Sequence, residues 1–171
     1  LRLALTSAVV SIILAIPLGV IAAIKQNTLF DYTSMAVSLV GISMPAFWLA
    51  LMLMLLFSVN LGWFPVQSDE DGWRSYVLPS IAIGFMNMAA IARTTRSSML
   101  DTIRQDYIRT ARSKGISERE VILHHAFRNA LIPTVTVVGV QLGGLIGGAV
   151  LTETVFAWPG LGRYIVTSVN G

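Results

Sequence analysis

Few residues in this 171-residue chain could do chemistry, and their spacing argues against most of it. His124 and His125 are adjacent. Neighbours on a helix point about 100° apart, and with no cysteine in the chain and no close carboxylate the pair does not complete a tetrahedral metal set. Asp69, Glu70 and Asp71 offer oxygen ligands, but their spacing fits no calcium loop and suits a solvated outer loop. Glu153 is placed to act as a gate, to pair with Arg163 across the turn Trp158-Pro159-Gly160, or only to cap that turn. No Gly-x-x-x-x-Gly-Lys-Ser/Thr loop is present, so ATP chemistry would belong to another chain. Two other groups of polar residues remain. Thr134, Gln141 and Thr152 interrupt an apolar run, where polar groups are costly against lipid and so point at protein or at a water-filled path. Residues 93–130 hold eight Lys and Arg against four Asp and Glu, net +4, while the rest of the chain sums to −1.

The elements that must carry these residues are oily. The chain is 54% hydrophobic and 12% charged, about half the charged share usual in soluble proteins, which argues against a soluble enzyme domain, a disordered tail and a nucleic-acid-binding arm. The mean hydropathy is +0.71. A bilayer core of about 30 Å takes roughly 20 residues of helix, and four runs meet or approach that length. They are residues 3–24, 35–59, 77–92 and 131–151, none holding Asp, Glu, Lys, Arg or His. The third is short, but Trp73 and Tyr76 precede it as interfacial aromatics and Arg93 can snorkel from its end, so its helix is expected to continue into water. The first run is too long for the apolar core of a signal peptide and lacks a basic leader. Because Leu1 is not a start methionine and residues 164–171 begin a further amphiphilic segment, the chain reads as an internal fragment.

Lys and Arg beside spans are retained in the cytoplasm, which puts residues 93–130 inside. Alternation then puts residues 25–34 inside and residues 61–75 outside, where three acids face a single Arg74. Pro45 cannot donate to the Gly41 carbonyl, and Pro17 with Gly19 repeats the arrangement in the first run; both are expected to bend their helices. Pro79 and Pro133 are expected in first helical turns. Gly139, Gly143 and Gly147 form a stripe at intervals of four that lets another helix approach closely.

Beyond Arg93 the helical pattern continues until Gly115 stops it, with Leu100, Ile103, Tyr107 and Ala111 near one face. Ser117 followed by Glu120 has the form of a capping box and opens a second short helix whose apolar side is Leu123, Phe127 and Ala130. A projection of two amphipathic helices between spans usually docks on something, since a tight connection needs only a few residues.

The strings Asp106-Tyr107-Ile108-Arg109-Thr110-Ala111-Arg112-Ser113-Lys114-Gly115 and His125-Ala126-Phe127-Arg128-Asn129-Ala130-Leu131-Ile132-Pro133 resemble the cytoplasmic loop of ABC importer permeases of the dipeptide, oligopeptide and nickel (glutathione) family. The resemblance extends to Pro45-Ala46-Phe47-Trp48 and to the stretch from Glu153 to Arg163, and covers nearly the whole chain. Relative to the general permease motif, Arg109-Thr110-Ala111 stands on the Glu-Ala-Ala positions, and Pro133 closes the motif five residues late, as in the peptide and nickel branch. The resemblance implies an all-α membrane protein, a polytopic helical bundle of the type I ABC importer permease kind with short cytoplasmic coupling helices. It implies that Tyr107, Ile108, Arg109, Thr110, Ala111, Arg112, Lys114, Gly115 and Ser117 seat against a cytoplasmic ATPase; Thr134, Gln141, Thr152 and Glu153 are expected along the path from their polarity alone. The implied partners are a second, homologous permease subunit, two ATPase subunits holding ATP-Mg, an extracytoplasmic solute-binding protein and the lipid bilayer of a bacterial or archaeal inner membrane. Peptides are the leading substrate class, with nickel chelates and glutathione as alternatives; this chain itself binds no cofactor and is not an enzyme.

Two rival classes remain. An ion-coupled secondary transporter would place ionisable groups near the midplane, and an intramembrane enzyme would need a nucleophile with a base or a metal pair there. Neither pattern appears in the four runs.

Overall fold

The computed structural model describes residues 2–66, 72–148, 150–156 and 158. These form helices with no strand among them: α1 (Arg2–Ile24), α2 (Leu29–Ser43), α3 (Ala46–Leu53), α4 (Arg74–Ile103), α5 (Asp106–Ser113), α6 (Glu118–Glu120), α7 (Phe127–Gly148) and α8 (Val150–Val155). Wide π turns extend α3 over Met54–Asn60 and join α6 to α7 over Val121–Ala126. Three helical stretches are long and apolar enough to cross a membrane, Leu3–Ile24, Arg74–Ile103 and Glu118–Gly144, and the bent pair Leu29–Ser43 with Ala46–Asn60 makes a fourth. Asp69, Glu70, Asp71, Arg163 and residues 164–171 lie outside the described residues.

The most buried of these helices is α4, with α1, α2, α3 and α7 packed around it. Helix α1 lies parallel to it because of a strict small-residue row. Ser7, Ser11, Ala15, Gly19 and Ala23 recur every four residues and are all buried, so side chains do not hold the two backbones apart. Ser11 Oγ donates to the Gly84 carbonyl at 2.8 Å. A Cβ on Gly19 would stand 2.6 Å from the Ala92 carbonyl oxygen, and one on Gly84 would stand 2.9 Å from Ser11 Oγ. The pairings Ser11 with Gly84 and Gly19 with Ala92 keep one register over eight residues, so α1 and α4 run in close contact for about 12 Å, roughly two-fifths of the thickness a span must cover. Helix α7 returns antiparallel, with Val137 and Val138 beside Ile91, Thr134 beside Thr95 and Ala130 beside Met99.

Several expectations change. The run 35–59 is not one kinked helix but two segments meeting at 104°. A residue before proline is pushed out of the α region. Met44 is accordingly extended (φ −87°, ψ 129°), and α3 begins afresh after Pro45. Gly41 serves a close approach to α4 rather than relief of a kink, since a Cβ there would lie 2.9 Å from Phe85 Cε1. Pro79 and Pro133 sit inside α4 and α7, past their first turns. The segment after Ser117 is not a separate short helix; α6, the π turn and α7 form one continuous stretch. Two glycines of the expected packing stripe, Gly139 and Gly143, face outward. A Cβ on Gly139 or Gly143 would touch nothing within 4 Å, and Gly147 continues in the same helix. The close packing inside this chain belongs instead to Gly19, Gly41 and Gly84.

Candidate functional site: the basic hairpin

The basic segment forms a compact hairpin at one end of the bundle, made of α5, the turn after it and the start of the α6–α7 stretch. Its fold follows from local chemistry. Asp106 in the first turn of α5 faces the positive helix end and lies 3.8 Å from Arg109. At the other end, Gly115 takes a left-handed φ of 79°. Its N–H bonds the Arg112 carbonyl at 2.9 Å and the Ile116 N–H bonds the Ala111 carbonyl at 3.4 Å, the two bonds of a Schellman stop. No side chain crowds Gly115, so glycine is required there by backbone conformation alone. Ser117 then caps the next helix by accepting from the Glu120 N–H.

Two ties fix the arms of the hairpin to each other. Arg112 grips Glu118 with both ends of its fork, at 2.9 and 2.6 Å, and this pairing holds the Glu118 carboxyl below the usual carboxylate range. Both side chains are exposed, so the pair adds at most about 1 kcal/mol of stability. Asn129 Nδ2 donates to Tyr107 Oη at 2.7 Å and to the His125 carbonyl at 3.2 Å. That carbonyl lies in the π turn, where the ordinary helical donor is displaced, and the Tyr107 hydroxyl also donates to it at 3.3 Å.

The hairpin also sits on its own core. Ile108, Ala111, Val121, Ala126 and Ala130 are buried against Met99 of α4 and Ala23 at the end of α1. Of the residues expected to seat against an ATPase, Ile108 and Ala111 therefore face inward, because they form the apolar stripe that α5 packs on the bundle. Arg112 is engaged with Glu118 rather than free for a partner. Tyr107, Arg109, Thr110, Lys114, Gly115 and Ser117 remain on the exposed side. Leu123 was expected on the apolar side with Phe127, four residues on; the π turn changes the helical phase and leaves it exposed while Val121 and Ala126 go inside. His124 lies on the exposed side with it.

Of the residues expected along the path, Thr134, Thr152 and Glu153 are buried within this chain and Gln141 is half-buried. Thr134 is fully buried, donates to the Ala130 carbonyl at 3.1 Å and meets Thr95 Oγ1 at 3.4 Å. Gln141 borders a void of about 10 Å³ with Ser11 and Asn87, space for one water at most. Thr152 and Glu153 are buried at the far end, where Trp158 stacks edge-on to Tyr76 at 4.5 Å.

One contact was missed by sequence reasoning. Arg96 of α4 holds Asp31 of α2 bidentately, through Nε to Oδ1 at 2.5 Å and through its terminal amine to Oδ2 at 2.6 Å. Asp31 is 1% exposed and also accepts from the Asn27 N–H at 3.0 Å, where Asn27 turns the chain with a φ of 62°. The signal was present: a single acid, Asp31, in the short polar stretch between the first two apolar runs. Sequence separation hid its partner, 65 residues away.

Comparison with known proteins gives a consistent result. Residues 15–171 match the family described as binding-protein-dependent transport system inner membrane component. The chain is 46% identical, over 99% of its length, to a dipeptide transport system permease protein (DppB) of Alkalihalophilus pseudofirmus, covering 59% of that relative. It is 48% identical, over 89% of its length, to a di/tripeptide transport system permease protein (DppB) of Pseudomonas aeruginosa, covering 53% of it. It is also 48% identical, over 99% of its length, to the glutathione transport system permease protein GsiC of Escherichia coli K12, covering 55%. The chain thus spans about half the length of the curated relatives it matches.

Proposed function

Starting from the fact that this chain belongs to the family of binding-protein-dependent transport system inner membrane components, we propose that it acts within a permease subunit of an ATP-driven importer. It forms part of the transmembrane path and hydrolyses nothing itself. Relatives named for dipeptide, di/tripeptide and glutathione transport support short peptides as cargo. In this reading the basic hairpin faces the cytoplasm and seats on one of two ATPase subunits that hold ATP-Mg. A related permease subunit completes the path, and a solute-binding protein delivers cargo from outside.

The observation that carries the coupling role is that the hairpin has a rigid base and a free basic face. Ile108, Ala111 and Val121 anchor it on α1 and α4, while Arg109 and Lys114 project outward. A push on that face is passed to the bundle rather than lost in a flexible loop, and the exposed cations, Lys114 and Arg109 beside Asp106, supply charge complementarity. Charge reversal at Arg109 and Lys114 together, in the full-length permease, is expected to leave insertion and yield intact and to cut ATPase copurification and peptide uptake by roughly tenfold or more. Normal uptake by the well-expressed double variant would overturn the docking role.

A further inference from the structure

At the hairpin end of the bundle, α4 and α7 diverge around an open cleft of about 320 Å³, near the lower limit for small-ligand sites. Thr94, Ser97, Asp101, Gln105, Asn129 and Pro133 line it, and no Lys or Arg does, although the segment around it is the most basic in the chain. Its hydrogen-bonding capacity is lopsided. Ser98 Oγ donates to the Ala130 carbonyl and Thr102 Oγ1 to the Ser98 carbonyl. Asn129 Nδ2 is committed to Tyr107 Oη and the His125 carbonyl, and Gln105 Nε2 to the Asp101 carbonyl. Those carbonyl partners fix which way each amide points, since only the nitrogen can donate to them. The donors of Ser98, Thr102 and Asn129 and one N–H of Gln105 are therefore spent on protein, which leaves the Thr94 and Ser97 hydroxyls, able to accept as well as to donate, as the other polar groups of the wall. Asn129 Oδ1, Gln105 Oε1 and both carboxylate oxygens of Asp101 make no hydrogen bond or ion pair among the described residues.

A negative, acceptor-rich cleft favours a compact cation that brings several N–H donors, which is the chemistry of a primary ammonium. We propose that this cleft binds the free amino terminus of a short peptide as it leaves the path, with Asp101 as the charge partner and Asn129 and Gln105 as neutral acceptors. The choice of a peptide over any other amine rests on the importer reading above. The recognition of ammonium rests on the cleft alone.

The chain contains no cysteine, so Ser97→Cys gives the segment a single thiol on the cleft wall. In the full-length permease, purified with its partners in detergent, the rate of maleimide labelling of this thiol is measured against added dialanine, N-acetyl-dialanine and ethylamine. Working in detergent without the binding protein removes any selection made upstream. Dialanine is expected to slow labelling, N-acetyl-dialanine to have no effect at the same concentrations, and Asp101→Asn to raise the dialanine concentration needed by roughly tenfold or more, the usual cost of losing one charge-assisted bond. Asp101→Glu, which keeps the charge, should retain protection. Equal protection by the acetylated peptide, no protection by dialanine, or an unchanged response in Asp101→Asn overturns the site. Ethylamine protecting as well as dialanine overturns the peptide assignment. ATP-driven peptide uptake by the wild-type complex is measured in parallel; uptake without protection removes the cleft and leaves the importer, whereas protection without uptake removes the importer.

Discussion

At the scale of single residues, the contact with the largest expected energetic effect is one that does no chemistry. Asp31 is almost entirely shielded from solvent, and its carboxylate is acceptable there only because Arg96 and the Asn27 N–H occupy its lone pairs. Removing one member of a buried ion pair strands the other and typically costs about 3 kcal/mol or more. Asp31→Ala in the full-length permease is therefore expected to lower the denaturation midpoint in detergent markedly. Arg96→Ala should cost less, because Asp31 can then be protonated. The pair, and not generic disruption, is responsible only if the two losses are strongly non-additive, with the double alanine variant losing at least about 1 kcal/mol less than the sum. Additive losses would show that the residues act separately. The position of the pair gives it mechanical meaning too: it ties the α1–α2 turn to the same stretch of α4 that carries the hairpin.

At the scale of elements, glycine position decides which helices this chain packs by itself and which faces it leaves for others. A Cβ on Gly19 would meet backbone, the Ala92 carbonyl oxygen at 2.6 Å, which cannot rotate away. A Cβ on Gly139 or Gly143 would meet open space. Gly19→Ala is thus expected to destabilise the isolated permease by about 1 to 3 kcal/mol, the range for overpacking. Gly139→Ala and Gly143→Ala should leave its stability unchanged or slightly raised through helix propensity. The measurement is the thermal midpoint of the purified subunit against that of the assembled importer. A loss in the assembly alone would mark α7 as a surface for a second subunit, whereas a loss in the isolated subunit at Gly139 would contradict the outward placement. The packing row was legible all along: Ser7, Ser11, Ala15, Gly19 and Ala23 carry the same interval of four as the α7 glycines. Small residues at that interval state that a helix can be approached closely, but not by which neighbour. The breaks in helices followed a similar pattern. Pro45 announced an interruption, and its depth, 104° rather than a kink, depended on Met44 going extended and on α3 finding its own place beside α4. The π turn at Val121–Ala126 left no comparable mark in the sequence, and so the phase change that exposes Leu123 was not foreseeable from periodicity.

At the scale of the whole molecule, the arrangement of ends decides whether an ATPase can reach the hairpin at all. The turn after α1, the end of α4 and the hairpin gather at one end, joined by Arg96 with Asp31 and by Ala23 with Met99 and Val121. Residues Trp63 and Phe64, the start of α4 and Phe156 gather at the other. Four passes in alternation, the reading from hydropathy, would put these two groups on opposite faces of the membrane, and that reading needs only apolar run lengths and loop charges, local quantities that do not depend on packing. One label per end therefore fixes both loops on each side. In the full-length permease in intact cells, a membrane-impermeant maleimide is expected to label Trp63→Cys directly and Arg119→Cys only after the membrane is opened. Both positions are exposed, so failure to label cannot be blamed on burial. The positive-inside rule predicts this orientation from the eight bases of residues 93–130. Labelling of Arg119→Cys in sealed cells would put the hairpin on the side without ATP, and no docking of a nucleotide-driven subunit could then be sustained, however well Arg109 and Lys114 suit an acidic groove.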